Sequence, residues 1–185
     1  MRGKRVAKKR LLIYTHYYIP DTASIGQIMR ELAEGMLDKF DITVIRVVPS
    51  YLGTVEEKYT TQKYYKENIN GVKVLRIWVP EFSKTNKKSR VKNIVSYFLE
   101  RWWRLLRSER WTMLFPFRSP HSGRPIGSLG KWIKHAKYIY NIQDFNPEQV
   151  MAVGYTKNKL ITSAMMCFDK FSCRQSDLII TVGRD

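Results

Sequence analysis

The alternation of apolar strands with an amphipathic helix near the N-terminus limits the fold more than any other feature of the sequence. Residues 11–14 form a short apolar run that predicts a buried strand, and residues 42–48 predict a second. A helical stripe lies between them, ending at Phe40 and Asp41, and consists of Ile28, Met29, Leu32, Ala33, Met36 and Leu37. Strand, helix and strand in close succession predict a βαβ unit with a right-handed crossover.

The remaining sequence continues the alternation. Asn70-Gly71 is a hairpin-turn signal. Strands are predicted over 72–79, 138–142 and 178–182, and helices over 91–106, 147–151 and 159–173. Residues 50–70 are predicted to be a long connection with one irregular helix, 81–89 a basic loop, and 111–130 show no usable period. The apolar, non-alternating strands predict an α/β fold, a Rossmann-like open parallel sheet flanked by helices, in one domain over 1–185.

The charge balance restricts the binding partners. A net charge of +17 favours anions, nucleic acid or acidic lipid headgroups. The basic N-terminus and the apolar run after it do not form a signal peptide, because Thr15, His16 and Pro20 interrupt that run at once. Cys167 and Cys173 fit neither a disulfide framework nor a zinc site, which favours two small residues in a helix of a reducing, cytosolic protein. We expect a cytoplasmic protein, with peripheral attachment to the inner face of the plasma membrane as an open alternative.

The turn after the first strand is a candidate ligand site. It contains His16, Tyr17, Asp21, Ser24 and Gly26. A strand that leads into a helix N-terminus presents free backbone N–H groups and the helix dipole to an anion. A glycine here permits close approach of a ligand or of backbone. The single glycine, with no Gly-Lys-Ser after it, argues against NAD and ATP, and a plain helix cap is the alternative interpretation.

A second polar cluster follows the predicted strand 138–142. Gln143, Asp144, Asn146 and Glu148 stand where open α/β sheets bind their ligands, and they suit sugar hydroxyls. The alternative is that Asp144 or Asn146 caps a helix that begins at Pro147. The three histidines lack metal-ligand spacing, so we expect no metal ion and no cofactor.

The predicted helix 91–106 combines basic and aromatic side chains. Arg101, Trp102, Trp103 and Arg104 form its centre. Three interpretations stay open: a core helix with a solvated basic face, a helix on an anionic membrane surface, and a nucleic-acid surface. Nucleic acid ranks last, because no recognised nucleic-acid-binding module is present.

Several stretches together resemble a known family. They are residues 12–21, residues 26–36 with Glu31-Leu32-Ala33, residues 70–74, and residues 138–148 followed by 178–182. Gln143-Asp144 stands where many members of the family have His-Asp. On these motifs the chain resembles the N-terminal, acceptor-side domain of the family 4 glycosyltransferases with the GT-B fold. It is similar to the bacterial exopolysaccharide and O-antigen enzymes of the colanic-acid type.

The resemblance implies transfer of a sugar, with retention, from a nucleotide-sugar donor to a lipid-linked glycan in cell-surface polysaccharide or lipopolysaccharide synthesis. Loops 17–26 and 143–148 would contact the acceptor, and the basic helix would contact anionic lipid. The family binds its donor through a C-terminal domain, which we expect to be absent after Asp185, so little or no transfer is expected from this chain alone. No catalytic residue is assigned. A non-catalytic basic module that binds membrane or a partner subunit is the alternative.

Residues 111–127 depart from the family. Relatives have a buried strand here that ends in a Ser-Gln-Pro-Pro-like turn, whereas this chain has Met-Leu-Phe-Pro-Phe-Arg-Ser-Pro-His-Ser-Gly at 113–123. Codons exist for this peptide that restore such a strand when read one base out of register. We therefore hypothesise a compensated local frameshift, under which a central strand is missing or mispaired. The nucleotide sequence of the gene tests this hypothesis.

Overall fold

A computed structural model describes residues 7–15, 17–21, 24–49, 55–78, 99, 103, 110–116, 123–142 and 159–181. The strands are β1 (Lys9–Tyr14), β2 (Phe40–Val47), β3 (Tyr64–Ile69), β4 (Val72–Ile77), β5 (Met113–Pro116), β6 (Lys137–Ile142) and β7 (Leu178–Thr181). The helices are α1 (Ser24–Gly35), α2 (Gly123–Lys134) and α3 (Lys159–Gln175), with a short 3-10 helix at Glu57–Tyr59.

The seven strands form one sheet in the order β3-β4-β2-β1-β5-β6-β7. All neighbours are parallel except β3 and β4, which form an antiparallel hairpin. The chain moves from β1 outward to β2, and then crosses from β4 to β5 on the other side of β1. The predicted α/β fold with a mostly parallel sheet is confirmed, and its direction of winding reverses between β1 and β5.

The described helices cover the two faces of the sheet unequally. One face carries Ile13, Val44 and Val74, and α1 packs on it through Met29 and Ala33. Neighbouring residues along each strand point to the opposite face, where Leu12, Ile45 and Leu114 form a second core.

The second face also receives α2 and α3. A Cβ atom on Gly127 of α2 would overlap the ring of Tyr138, so a glycine is needed where this helix meets β6. The hydroxyl of Tyr140 lies 3.5 Å from Asp169 of α3. The helices α1 and α2 therefore lie on opposite faces, as right-handed crossovers require for connections that run in opposite directions along a sheet.

The first helix differs from its prediction in bounds and in its buried face. It begins at Ser24 and ends at Gly35, while Phe40, the predicted helix end, already belongs to β2. The buried residues of α1 include Ile25 and Gly26 in addition to Met29 and Ala33. Ile28 and Leu32, which were predicted to be in the buried stripe, are 49% and 36% exposed.

The region from residue 50 to residue 130 holds most of the remaining differences. The turn prediction at Asn70-Gly71 is confirmed, because both residues have positive φ between β3 and β4. However, β3 was missed inside the predicted connection, and β5 and most of α2 lie in the stretch that shows no period. Since β5 pairs in register with both β1 and β6, the expectation of a missing or mispaired central strand is wrong.

The last strand lies where it was predicted but is not buried. β7 pairs with β6 at the edge of the sheet, and Leu178, Ile179 and Ile180 are 52%, 46% and 39% exposed. The prediction of a buried strand is therefore wrong in its burial, since the described residues place no further strand beyond β7.

Some predictions fall mainly outside the described residues. The basic loop 81–89 and the helix 147–151 lie wholly outside them, and of the helix 91–106 only Leu99 and Trp103 are described, both helical. Within the described ranges, no helix is long and apolar enough to cross a bilayer.

Candidate functional site

The loop that follows β1 occupies the place where sheets of this kind bind ligands. Ligands of open α/β sheets bind beyond the carboxyl ends of the strands, at the point where the strand order reverses. Here that point lies between β1 and β5, and residues 15–21 leave β1 directly at it. Topology alone therefore singles out this loop.

A buried arginine from β2 holds the loop. The Arg46 guanidinium donates to the carbonyl oxygen of Tyr18 at 2.5 Å and to that of Val47. It also lies 2.5 Å from the Asp21 carboxylate, and the two side chains are only 1% and 3% exposed. A charge removed from water to this degree requires a partner, and Asp21 supplies it.

A second buried arginine, Arg76 of β4, lies beside Arg46 because the two are register partners on adjacent parallel strands. Its guanidinium donates to the carbonyl oxygen of Ile19 at 2.7 Å and to the Glu67 carboxylate at 2.7 Å. Glu67 also accepts a hydrogen bond from the Tyr59 hydroxyl at 2.7 Å. Each guanidinium thus has its own carboxylate and its own loop carbonyl.

This network shifts the pKa of the groups in it. Burial alone would raise the pKa of Glu67, but the hydrogen bonds from Tyr59 and Arg76 outweigh burial and hold the pKa below its usual value. Burial, with the hydrogen bond to Glu67, raises the pKa of the Tyr59 hydroxyl. Burial also raises the pKa of Tyr18 to about 12. Its hydroxyl has no hydrogen-bond partner in the described part of the chain.

The two arginines were not singled out from the sequence. Their signal is an arginine inside an otherwise apolar strand, in Val-Ile-Arg-Val and Val-Leu-Arg-Ile, a pattern in which a charge must be buried. A buried arginine needs a carboxylate and further acceptors. One such arginine stands on each of two strands, and this repetition indicates a polar structure at one end of the sheet.

The predicted residues of this loop divide into three groups. Asp21 is buried against Arg46, and Gly26 lies beneath the loop, since a Cβ there would be 3.2 Å from the Asp21 carbonyl oxygen. Gly26 therefore accommodates backbone, one of the two possibilities its sequence position left open. Tyr17 is half-buried, its carbonyl accepting from the Thr15 hydroxyl, and Ser24 is exposed at the start of α1. His16 lies outside the described residues.

The second predicted cluster follows β6. Gln143, Asp144, Asn146 and Glu148 lie outside the described residues. Gln143 directly follows Ile142, the last residue of β6, and the carboxyl ends of β6 and β1 share one edge of the sheet with β5 between them. The assignment of these residues to the site stays a prediction.

Of the four residues predicted for membrane contact, the structure describes only Trp103. Trp103 is helical and 49% exposed, whereas Arg101, Trp102 and Arg104 lie outside the described residues. Leu99, one helical turn earlier, is 55% exposed. These two large apolar side chains share one face of a helix.

Within the described ranges, no group of three or more histidine, cysteine or acidic side chains could hold a metal ion. Cys167 is exposed and Cys173 is partly buried, both on α3. At the described part of the edge, the backbone and the side chains of Tyr17 and Ser24 carry hydrogen-bonding groups.

Comparison of the sequence with protein-family models and with curated proteins gives no match.

Proposed function

We propose that the chain is the acceptor-binding domain of a GT-B glycosyltransferase, which moves a sugar from a nucleotide-sugar donor to a lipid-linked glycan. The observation that carries the proposal is the loop 15–21, which leaves β1 at the reversal of strand order and is fixed from below by Arg46 and Arg76. The family resemblance of residues 12–21 and 26–36 supplies the reaction class.

A fixed loop suits an acceptor site for a physical reason. A loop that is already ordered does not pay its ordering entropy when the ligand binds, so more of the contact energy appears as affinity. The buried arginines hold the carbonyls of Tyr18 and Ile19, which leaves Tyr17 and the start of α1 at the rim. Sugar hydroxyls and a diphosphate group are suitable partners for such a rim.

Binding, measured directly, tests the proposal. Saturation-transfer NMR with a panel of diphosphate-linked mono- and disaccharides should detect at least one binder. Tyr17→Ala should weaken its binding about tenfold, whereas Phe171→Ala, which removes an exposed aromatic ring from α3, should leave it unchanged. Absence of binding by every probe, or equal losses in both variants, would refute the proposal.

Membrane-surface binding is the second candidate function. It is favoured by the exposed pair Leu99 and Trp103 in a strongly basic chain. Co-sedimentation with vesicles of phosphatidylcholine, alone or mixed with phosphatidylglycerol, measures it. We expect binding to the anionic vesicles only, reduced in Trp103→Ala and unchanged in Trp132→Ala, where an equally exposed tryptophan is removed from α2. Stronger, salt-dependent binding to DNA would favour a nucleic-acid function instead.

A further inference from the structure

An apolar groove runs along the sheet beside α1. It has a volume of about 250 Å³. Helix α1 supplies one wall, and the strands β1, β5, β6 and β7 supply the floor. The described lining is Leu11, Ile28, Met29, Leu32, Met36, Phe40, Met113, Phe115, Ile139, Asn141 and Ile180. Among these residues, Asn141 alone carries a polar side chain.

Among the described helices, only α1 lies on the face of the sheet that carries the groove. The crossovers that contain α2 and α3 pass over the opposite face of the sheet, against Tyr138 and Tyr140. On the face of α1, Phe115 of β5 and Ile139 of β6 are buried in one core with Met29, and the groove lies above them. Ile28 and Ile180 remain 49% and 39% exposed on the two sides of the groove.

The groove changes character toward the carboxyl edge of the sheet. Its floor is hydrocarbon at Met113 and Ile139, and two residues further along β6 it reaches Asn141. The Asn141 side-chain nitrogen is buried and has no hydrogen-bond partner within the described residues. Ser24, one turn before Ile28, is the first residue of α1 and lies at the same edge, where the first N–H groups of a helix have no partner within the helix.

We propose that this groove binds the hydrocarbon chain of an anionic lipid, whose phosphate head then lies at the carboxyl edge near Asn141 and Ser24. An apolar floor that ends in an unpaired donor and a helix N-terminus matches an amphiphile, with the tail in the groove and the charge at its end. That this lipid is the carrier of the acceptor glycan rests on the function proposed above. The strongly positive chain attracts the same class of ligand.

The size of the groove favours a chain over a protein helix. Its volume equals that of roughly eight water molecules at liquid density. A helix about 10 Å across would need roughly three times that volume for two turns. Dry apolar cavities of comparable size are known to bind small apolar molecules.

Alkyl phosphates of increasing chain length, kept below their micelle concentrations, test the inference by calorimetry with the 185-residue chain. Affinity should rise about fourfold per added methylene and level off near roughly eight carbons, when the groove is filled. Ile28→Glu places a charge in the groove and should weaken the binding of octyl phosphate by at least about tenfold. Gln27→Glu adds the same charge at the neighbouring exposed position and should leave the affinity within about twofold. Circular dichroism verifies the fold of each variant, and Ile180→Glu replaces Ile28→Glu if the latter unfolds.

Three results would overturn the inference. Affinity that does not depend on chain length would exclude the groove as a tail site, as would equal losses in Ile28→Glu and Gln27→Glu. A dimer in sedimentation that Ile28→Glu dissociates would assign the groove to a contact between copies. A separate result decides the proposed acceptor function. If the chain binds alkyl phosphates but no glycan, the lipid groove is supported and the acceptor function is refuted.

Discussion

Replacing Asp21 by alanine would remove the carboxylate that pairs with the buried guanidinium of Arg46. The pair is 2.5 Å apart with side chains 1% and 3% exposed, so water cannot take the place of the lost carboxylate. Removing one partner of a buried ion pair costs about 3–5 kcal/mol. We expect Asp21→Ala to lower the free energy of unfolding by that amount.

A double variant separates the lost charge from the lost contacts. In Asp21→Ala with Arg46→Met, neither charge remains, and the methionine fills most of the arginine's volume. The carbonyl of Tyr18 then loses its donor, which costs about 1–3 kcal/mol. The double variant should therefore be more stable than Asp21→Ala alone, although it carries two changes.

Urea denaturation followed by circular dichroism measures both effects. With a slope of roughly 2 kcal/mol per molar urea, Asp21→Ala should lower the midpoint by about 1.5–2.5 M. Asp41→Ala is the matched control, because Asp41 pairs with Lys73 at 2.8 Å with side chains 36% and 57% exposed. An exposed pair contributes about 1 kcal/mol or less. Equal losses at Asp21 and Asp41, or a double variant less stable than Asp21→Ala, would refute the reasoning.

Three further predictions concern the core and the network around the loop. Tyr18→Phe removes a buried hydroxyl that has no described partner and should raise the free energy of unfolding by about 1 kcal/mol; a loss in urea denaturation would contradict this. Gly127→Ala should lower the free energy of unfolding by about 1–3 kcal/mol in the same assay, because the added methyl group overlaps the ring of Tyr138. An unchanged urea midpoint would contradict this, since it would mean that α2 shifts away from β6 without cost. The pKa of Glu67 is lowered in the folded state, so its stabilising contribution is complete above the unfolded value of about 4.5 and is lost as pH falls through the folded pKa. As the pH is lowered from about 5, the free energy of unfolding of Glu67→Gln should therefore fall less than that of the parent chain. Parallel pH profiles of the two free energies would exclude this contribution.

The regular elements with strong periodicity were predictable from the sequence. The apolar runs of β1, β2 and β6 and the Asn70-Gly71 turn gave correct strand positions, because local pattern and tertiary environment agree there. β3 was missed because its residues, Tyr64 to Ile69, are half polar and belong to an edge hairpin. β5 was missed because it has only four residues and ends in a proline.

Burial was harder to predict than position. Ile28 and Leu32 follow helical spacing with Met29 but face the open groove, because coverage of that face depends on the direction of the crossovers. The apolar residues of β7 are exposed for a related reason, since β7 is an edge strand. Such exposure is a tertiary property that residue spacing does not encode.

The contacts that hold the candidate loop were not predictable from the sequence, and its use as a site stays a prediction. The loop after β1 was selected because it leads into a helix N-terminus, and the structure adds that it leaves the sheet at the reversal of strand order. Asp21 and Gly26 were candidates for ligand contact, and the structure pairs Asp21 with Arg46 and packs Gly26 against the loop backbone, the second possibility open for that glycine. The arginines that fix the loop come from β2 and β4, so their part in it becomes visible only when three strands are brought together.

The central claim, that the carboxyl edge of the sheet binds the acceptor, is tested most directly by photo-cross-linking. The probe is a diphosphate-linked disaccharide with a short alkyl chain and a photoreactive group on the sugar. If the carboxyl edge binds the acceptor, mass spectrometry should locate the cross-link within residues 15–24, and excess unlabelled probe should compete it away. A cross-link confined to α3 or to the β3–β4 hairpin, or labelling that no competitor reduces, would contradict the assignment of this edge as the acceptor site.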